Sequence, residues 1–165
     1  MQVAIIMGSE SDWPRLEVAW ELLRNFGLDV GVRVLSAHRT PEDCVCFVRE
    51  AEEAGVQVFI AAAGLAAHLP GVVAANTLRP VIGLPLAAGP LKGQDALYSV
   101  VQMPPGVPVA TVGIDNARNA ALLAVVILAL GDINLADKLR AYRLEQRQQV
   151  LARDLKLQEK LGAGE

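Results

Sequence analysis

Val56-Gln57-Val58-Phe59-Ile60-Ala61, running into Ala62-Ala63-Gly64-Leu65-Ala66-Ala67-His68-Leu69-Pro70-Gly71, is the stretch that decides the fold. A short, almost continuous apolar run bounded by turn residues reads as a strand buried on both faces. The His68 segment then turns the chain, and a short helix follows towards Asn76. The local order is strand, tight turn, helix.

The same order repeats on either side. Residues 2–7 are an apolar strand, and Gly8-Ser9-Glu10-Ser11-Asp12 is a turn. Residues 13–26 have helical periodicity through Leu16, Ala19, Trp20 and Leu23, and Gly27 ends that helix from the C′ position. Val30, Val32 and Val34 alternate as a second strand. Thr40 is placed to cap the next helix, with Pro41 in its first turn and Asp43 reaching back, and that helix ends at Gly55. Further on, residues 80–84 form a fourth strand, 86–93 a loop and 94–102 a helix. Pro104-Pro105-Gly106 turns into a fifth strand at 109–114, and 116–130 is a helix apolar all round, expected to be buried on most sides.

Such alternation predicts an α/β domain over residues 1–131, a parallel sheet with helices on both faces. Right-handed crossovers bring every strand-to-helix turn to one edge of the sheet, the edge where ligands bind. The turns at 8–12, 36–40, 64–71 and 85–93 are therefore expected to converge. Residues 132–165 read differently, as one long charged helix with sparse apolar positions at Leu135, Leu139, Tyr142, Val150, Leu151, Leu155 and Leu161. So long a stripe exceeds what a small domain can cover, so the helix is expected to pack on a neighbouring subunit of an oligomer.

Composition narrows the function classes. The chain has 165 residues, 53% hydrophobic but only 4% aromatic, with a formal net charge of -3. Few aromatics and no basic face argue against nucleic-acid binding. Cys44 and Cys46 lie two apart on a helix, a spacing of neither a redox pair nor a zinc knuckle, and read as reduced thiols. No signal-peptide pattern opens the sequence, and the apolar stretch at 120–130 falls short of the ~20 residues that span a bilayer. These features predict a soluble cytoplasmic protein that binds no membrane.

Three turns carry candidate chemistry. In Gly8–Asp12, backbone N–H groups and the following helix dipole favour an anion, and Ser9 adds a hydroxyl. The lysine of a P-loop and the spacing of a dinucleotide fingerprint are both missing. Asp12 would repel a phosphate, so its partners are sugar hydroxyls or an amine. Ser11 or Asp12 capping the helix is an equal alternative. In Ser36-Ala37-His38-Arg39-Thr40, the planar guanidinium of Arg39 binds oxygens in pairs. A cation at a helix N-terminus opposes the dipole unless an anion arrives, which favours a binding role. His68 is one of two histidines in the chain, the other being His38. Imidazole exchanges protons near neutral pH, so a histidine beside a phosphate clamp suits proton transfer on a phosphorylated small molecule. A half-buried histidine at a helix start is the plain alternative.

Met7-Gly8-Ser9-Glu10-Ser11-Asp12-Trp13-Pro14, Ser36-Ala37-His38-Arg39-Thr40-Pro41, Ala66-Ala67-His68-Leu69-Pro70-Gly71, Pro80–Pro85 and the run from Gln102 to Val112 together resemble the PurE family of N5-carboxyaminoimidazole ribonucleotide mutases. The resemblance runs in order from the first strand to Leu130 and continues into the long helix. It implies a three-layer, flavodoxin-like sheet with that helix added, and a homo-octamer whose long helices swap between subunits. The implied reaction converts the carbamate of an aminoimidazole ribonucleotide to the 4-carboxylate, with no metal or organic cofactor. By motif, Gly8, Ser9, Ser11, Ser36, His38 and Arg39 would bind substrate, with Ser9 and Arg39 on the phosphate. Asp12 would hold the ribose, Ala66 and Ala67 would line a pocket for carbon dioxide, and His68 would be the general acid/base.

Some positions differ from the family pattern. Ala61-Ala62-Ala63-Gly64-Leu65 stands for Ala-Gly-Ala-Gly-Gly, which puts a leucine where a glycine is usual. Ala88 and Ala96 replace hydroxyl residues, and Ile114–Asn119 is a contracted turn. Alternative readings are the animal-type direct carboxylase, which typically has a lysine after the first histidine, the nicotinate-type dinucleotide carboxylase, and a catalytically silent ribonucleotide-binding homologue.

Overall fold

A computed structural model describes residues 1–162, so the last residues of the expected tail helix, 163–165, lie outside it. The strands are β1 (Val3–Met7), β2 (Val30–Val34), β3 (Val58–Gly64), β4 (Val81–Leu86) and β5 (Ala110–Thr111). The helices are α1 (Trp13–Asn25), α2 (Pro41–Glu53), α3 (Leu69–Ala74), α4 (Gln94–Val101), α5 (Ala117–Ala129) and α6 (Ile133–Gly162). Contacts divide the described residues into two compact units, 1–128 and 129–162.

All strand pairs are parallel, in the order β2-β1-β3-β4-β5. That is the flavodoxin-like order, in which the chain leaves β1 in one direction and returns past it to β3. Right-handed connections therefore set α1 on one face and α2, α3 and α4 on the other. The second face is one continuous core: Ala4 and Ile6 of β1 and Phe59, Ala61 and Ala63 of β3 pack with Cys44 and Val48 of α2, Val73 of α3 and Val100 of α4. Alternation turns Ile5, Ile60 and Ile82, also fully buried, the opposite way. With both faces covered, β1, β3 and β4 carry almost no polar side chain, which is why they read as continuous apolar runs.

The structure corrects four local expectations. Thr40 caps nothing with its side chain. Its hydroxyl instead closes the turn before α2, accepting from the Ser36 N–H at 2.9 Å and donating to the Ser36 carbonyl at 3.3 Å. Strand β3 starts later and runs further than expected, to Gly64, because its end is paired with Leu86 of β4. Strand β5 is two residues, not six, pairing only at Ala110 and Thr111. Helix α5 buries Ala117, Ala120, Ala121, Ala124 and Val125, while Leu122, Leu123, Val126 and Ile127 are only partly covered.

In the second unit, Asp132 caps α6, its carboxylate accepting from the N–H groups of Asn134 and Leu135 at 2.9 and 3.1 Å. Leu135 is buried, whereas Leu144, Val150, Leu151, Leu155, Leu157 and Leu161 are exposed. No described helix is long and apolar enough to cross a membrane.

Candidate active site at the carboxyl edge of the sheet

The switch point between β1 and β3 opens a crevice at the strand ends, and three turns meet there. The one after β1 is a 3-10 turn at Glu10–Asp12. Ser9 accepts the Ser11 N–H at 3.3 Å and bonds the Ser11 hydroxyl at 2.8 Å. Asp12 occupies the position before α1 but makes no capping bond. Burial pushes its carboxyl above the usual carboxylate range, opposed by the charge of Arg15 and a backbone hydrogen bond at Ser9, while Asp115 adds to the rise. Neither Ser11 nor Asp12 is thus spent on capping α1.

The turn after β2 is organised by Ser36, whose hydroxyl accepts from the N–H groups of His38 and Arg39 at 3.4 and 3.2 Å and from Arg39 Nε at 3.4 Å. Arg39 Nη2 reaches the Gly8 carbonyl at 2.9 Å, which stitches this turn to the first. Among the described residues no carboxylate pairs with that guanidinium. A cation held by carbonyl and hydroxyl groups keeps its charge available to an incoming anion.

At the end of β3 the chain bends through Leu65 and delivers His68. Its Nδ1 lies 2.5 Å from Nε2 of His38, with the rings 79° apart and their centroids separated by 4.8 Å. A hydrogen bond between two ring nitrogens needs one to carry a proton and the other to offer a lone pair. Such a bond lets a proton pass between the two rings, and the outer nitrogens, Nδ1 of His38 and Nε2 of His68, take no part in it.

These residues share one cavity of about 540 Å³, within the range of small-molecule sites. Gly8, Ser9, Ser11, Asp12, Ser36, His38, Arg39, Ala66 and His68 all line it. Ala67, also expected there, does not, being only 1% exposed and part of the core. Ala88 lines the cavity, whereas Ala96 is fully buried in α4. Sequence reasoning passed over Arg15 and Asp115 as charges that act on Asp12. Asp115 sits in the turn 114–116, where it takes a backbone φ of 55° and accepts the Ala87 N–H at 2.9 Å, and Arg15 Nε lies 3.9 Å from its carboxylate.

Comparison with known proteins agrees with this geometry. Residues 2–149 match the family described as AIR carboxylase. The chain is 55% identical over 157 residues to an N5-carboxyaminoimidazole ribonucleotide mutase of Methanocaldococcus jannaschii, covering 95% of this chain and 98% of that one. It is 52% identical over 151 residues to a protein of the same name from Saccharolobus solfataricus, covering 92% and 96%. The crystal structure of Treponema denticola PurE superposes with a TM-score of 0.87 at 34% identity, covering 94% of this chain and 98% of that chain.

Proposed function

The chain belongs to the AIR carboxylase family, and on that premise we propose that it is a purine-biosynthesis mutase, converting N5-carboxyaminoimidazole ribonucleotide to the 4-carboxy isomer. The observation that carries the chemistry is the bond between His38 and His68 in a cavity that Ser9, Ser36 and Arg39 also line. In this reading the substrate phosphate lies against Gly8, Ser9, Ser11, Ser36 and Arg39, and Asp12 accepts hydrogen bonds from the ribose hydroxyls. The aminoimidazole ring then faces the histidines and Ala66.

As the carbamate N–C bond breaks, its electron pair stays on nitrogen, which takes a proton from the histidine pair, and carbon dioxide is released. Ring carbon C4 attacks that carbon dioxide, and the histidine pair recovers the proton from C4. The pair ends as it began, so one relay serves both half-reactions. Holding carbon dioxide beside C4 supplies an effective concentration that bulk solution lacks. Sequence reasoning gave this work to His68 alone. The hydrogen bond supports His38 as its partner in proton transfer in addition to a place in the binding turn.

We further propose a cytoplasmic homo-octamer, in which residues 1–131 carry catalysis and residues 132–165 pack on a neighbouring subunit. The exposed leucines of α6 support that arrangement.

The test is a carboxylate-transfer assay on the carbamate substrate with bicarbonate depleted. Turnover there is expected from a mutase and from neither a direct carboxylase nor a silent binder. His68→Asn is expected to abolish turnover while leaving the fold and nucleotide binding largely intact, and His38→Asn to abolish turnover while leaving the fold intact. Near-normal turnover by either variant removes that histidine from the relay.

A further inference from the structure

Leu65 holds a backbone φ of 55°, the left-handed region that a leucine Cβ makes unfavourable, and its side chain is 51% exposed. Strain and exposure on one apolar residue bring no return in core burial, and unfavourable backbone of this kind gathers where a site depends on it. The residue lines the cavity that holds His68. Opposite stands the loop that follows β4. A Cβ on Gly89 would come within 2.6 Å of Leu65 Cδ2, and one on Gly64 within 2.7 Å of Ala88 Cβ, so the two strand-end loops are packed to contact. The far loop is itself fixed, since Asp115 accepts the Ala87 N–H at 2.9 Å and donates its own N–H to the Pro85 carbonyl at 2.9 Å.

The lining of the cavity includes the polar Ser9, Ser36 and Arg39 and the apolar Ala63, Leu65, Ala66, Leu69 and Ala88. Carbon dioxide is neutral, has no hydrogen to donate and gains little from a polar wall. Its escape competes with attack by C4, and the outcome depends on how long it stays among apolar groups.

We infer that Leu65 is the apolar lip of this cavity and sets the partition of carbon dioxide between transfer to C4 and escape to solvent, an inference that rests on the mutase reading. Leu65 takes no part in the proton relay. When carbon dioxide is retained, the C4–carboxylate bond forms and the C4 proton returns to the histidines. When it escapes, C4 keeps its hydrogen and free aminoimidazole ribonucleotide remains. Carbon dioxide drawn from solution would then enter the same bond.

The test gives the intact chain unlabelled carbamate substrate in buffer containing ¹³C-bicarbonate and weighs the product. Leu65→Gly removes the lip. Leu65→Asn keeps a similar shape, adopts positive φ more readily and makes the lip polar. Both variants are expected to fold with a thermal midpoint no lower than the parent's. The parent is expected to give product almost free of label. Each variant is expected to give severalfold more labelled product, with more free aminoimidazole ribonucleotide than an enzyme-free control. Labelling no higher in either variant than in the parent overturns the role of Leu65, as does a parent product labelled as fully as the pool. A parent that makes no product from the carbamate overturns the mutase reading, and this proposal with it.

Discussion

Asp12 sits partly buried at the head of α1 with a carboxyl that its surroundings hold above the ordinary value, and it caps nothing. Its folded-state pKa exceeds the unfolded one, so folding favours the protonated acid. Stability from this group is full below the unfolded value of 3.8 and falls as pH rises through the higher folded value. At neutral pH the charged carboxylate is a local burden that a ribose hydroxyl or an amine would relieve. Asp12→Asn is accordingly expected to be more stable than the parent at pH 7, with the difference vanishing towards pH 3, and to bind the ribonucleotide more weakly. Thermal denaturation across pH together with a ligand titration checks both halves. Lower stability at pH 7 would contradict this account of Asp12. Sequence brought Asp12, Ser9, Arg39 and both histidines into view because each follows an apolar strand. Two strand ends each carrying a histidine suggested one shared site, but not that the rings bond directly, since they lie thirty residues apart and meet through the register of β1 with β2 and β3. Nor could sequence reveal the positive φ of Leu65, which local side-chain preference opposes.

Among the elements, β4 shows how tightly helix and sheet are matched. A Cβ added at Gly83 would fall 2.3 Å from Val100 Cγ1 in α4 and 2.8 Å from Val109 Cγ1. Side chains packed directly onto the strand, not backbone conformation, are what require glycine here. Gly83→Ala is therefore expected to destabilise the fold by about 1–3 kcal/mol, the usual cost of overpacking a well-filled core. Urea unfolding measures it, and a change below a few tenths of that would mean α4 can move aside. The strands buried on both faces were legible because nothing polar interrupts them. Strand β5 was less so, since Val109 and Ile114 continue the apolar pattern while pairing stops at Thr111. Thr40 misled for a related reason. A threonine before Pro41 is an ordinary cap, yet here its hydroxyl is held by Ser36 in the turn that presents Arg39.

Over the whole molecule, charge and apolar surface are unevenly shared between the two units. The first buries a continuous aliphatic core against its sheet, while α6 buries only Leu135 and leaves leucines exposed along its length. Leu144, Leu151 and Leu155 recur at helical spacing on one stripe. Replacing all three by glutamate is expected to break the proposed homo-octamer into smaller species by light scattering, with the circular dichroism of the sheet unit retained. An unchanged molar mass would count against the helix as the joining element. The strand order has one more consequence, in time. Every ladder joins segments far apart in the chain, and parallel pairing of this kind forms slowly because each loop must close before its contacts reward it. Gly8, His38, His68 and Ala88 reach the cavity by way of four different strands. A half-folded chain therefore has no half-formed site: competence to bind arrives as a late and nearly all-or-none event of refolding.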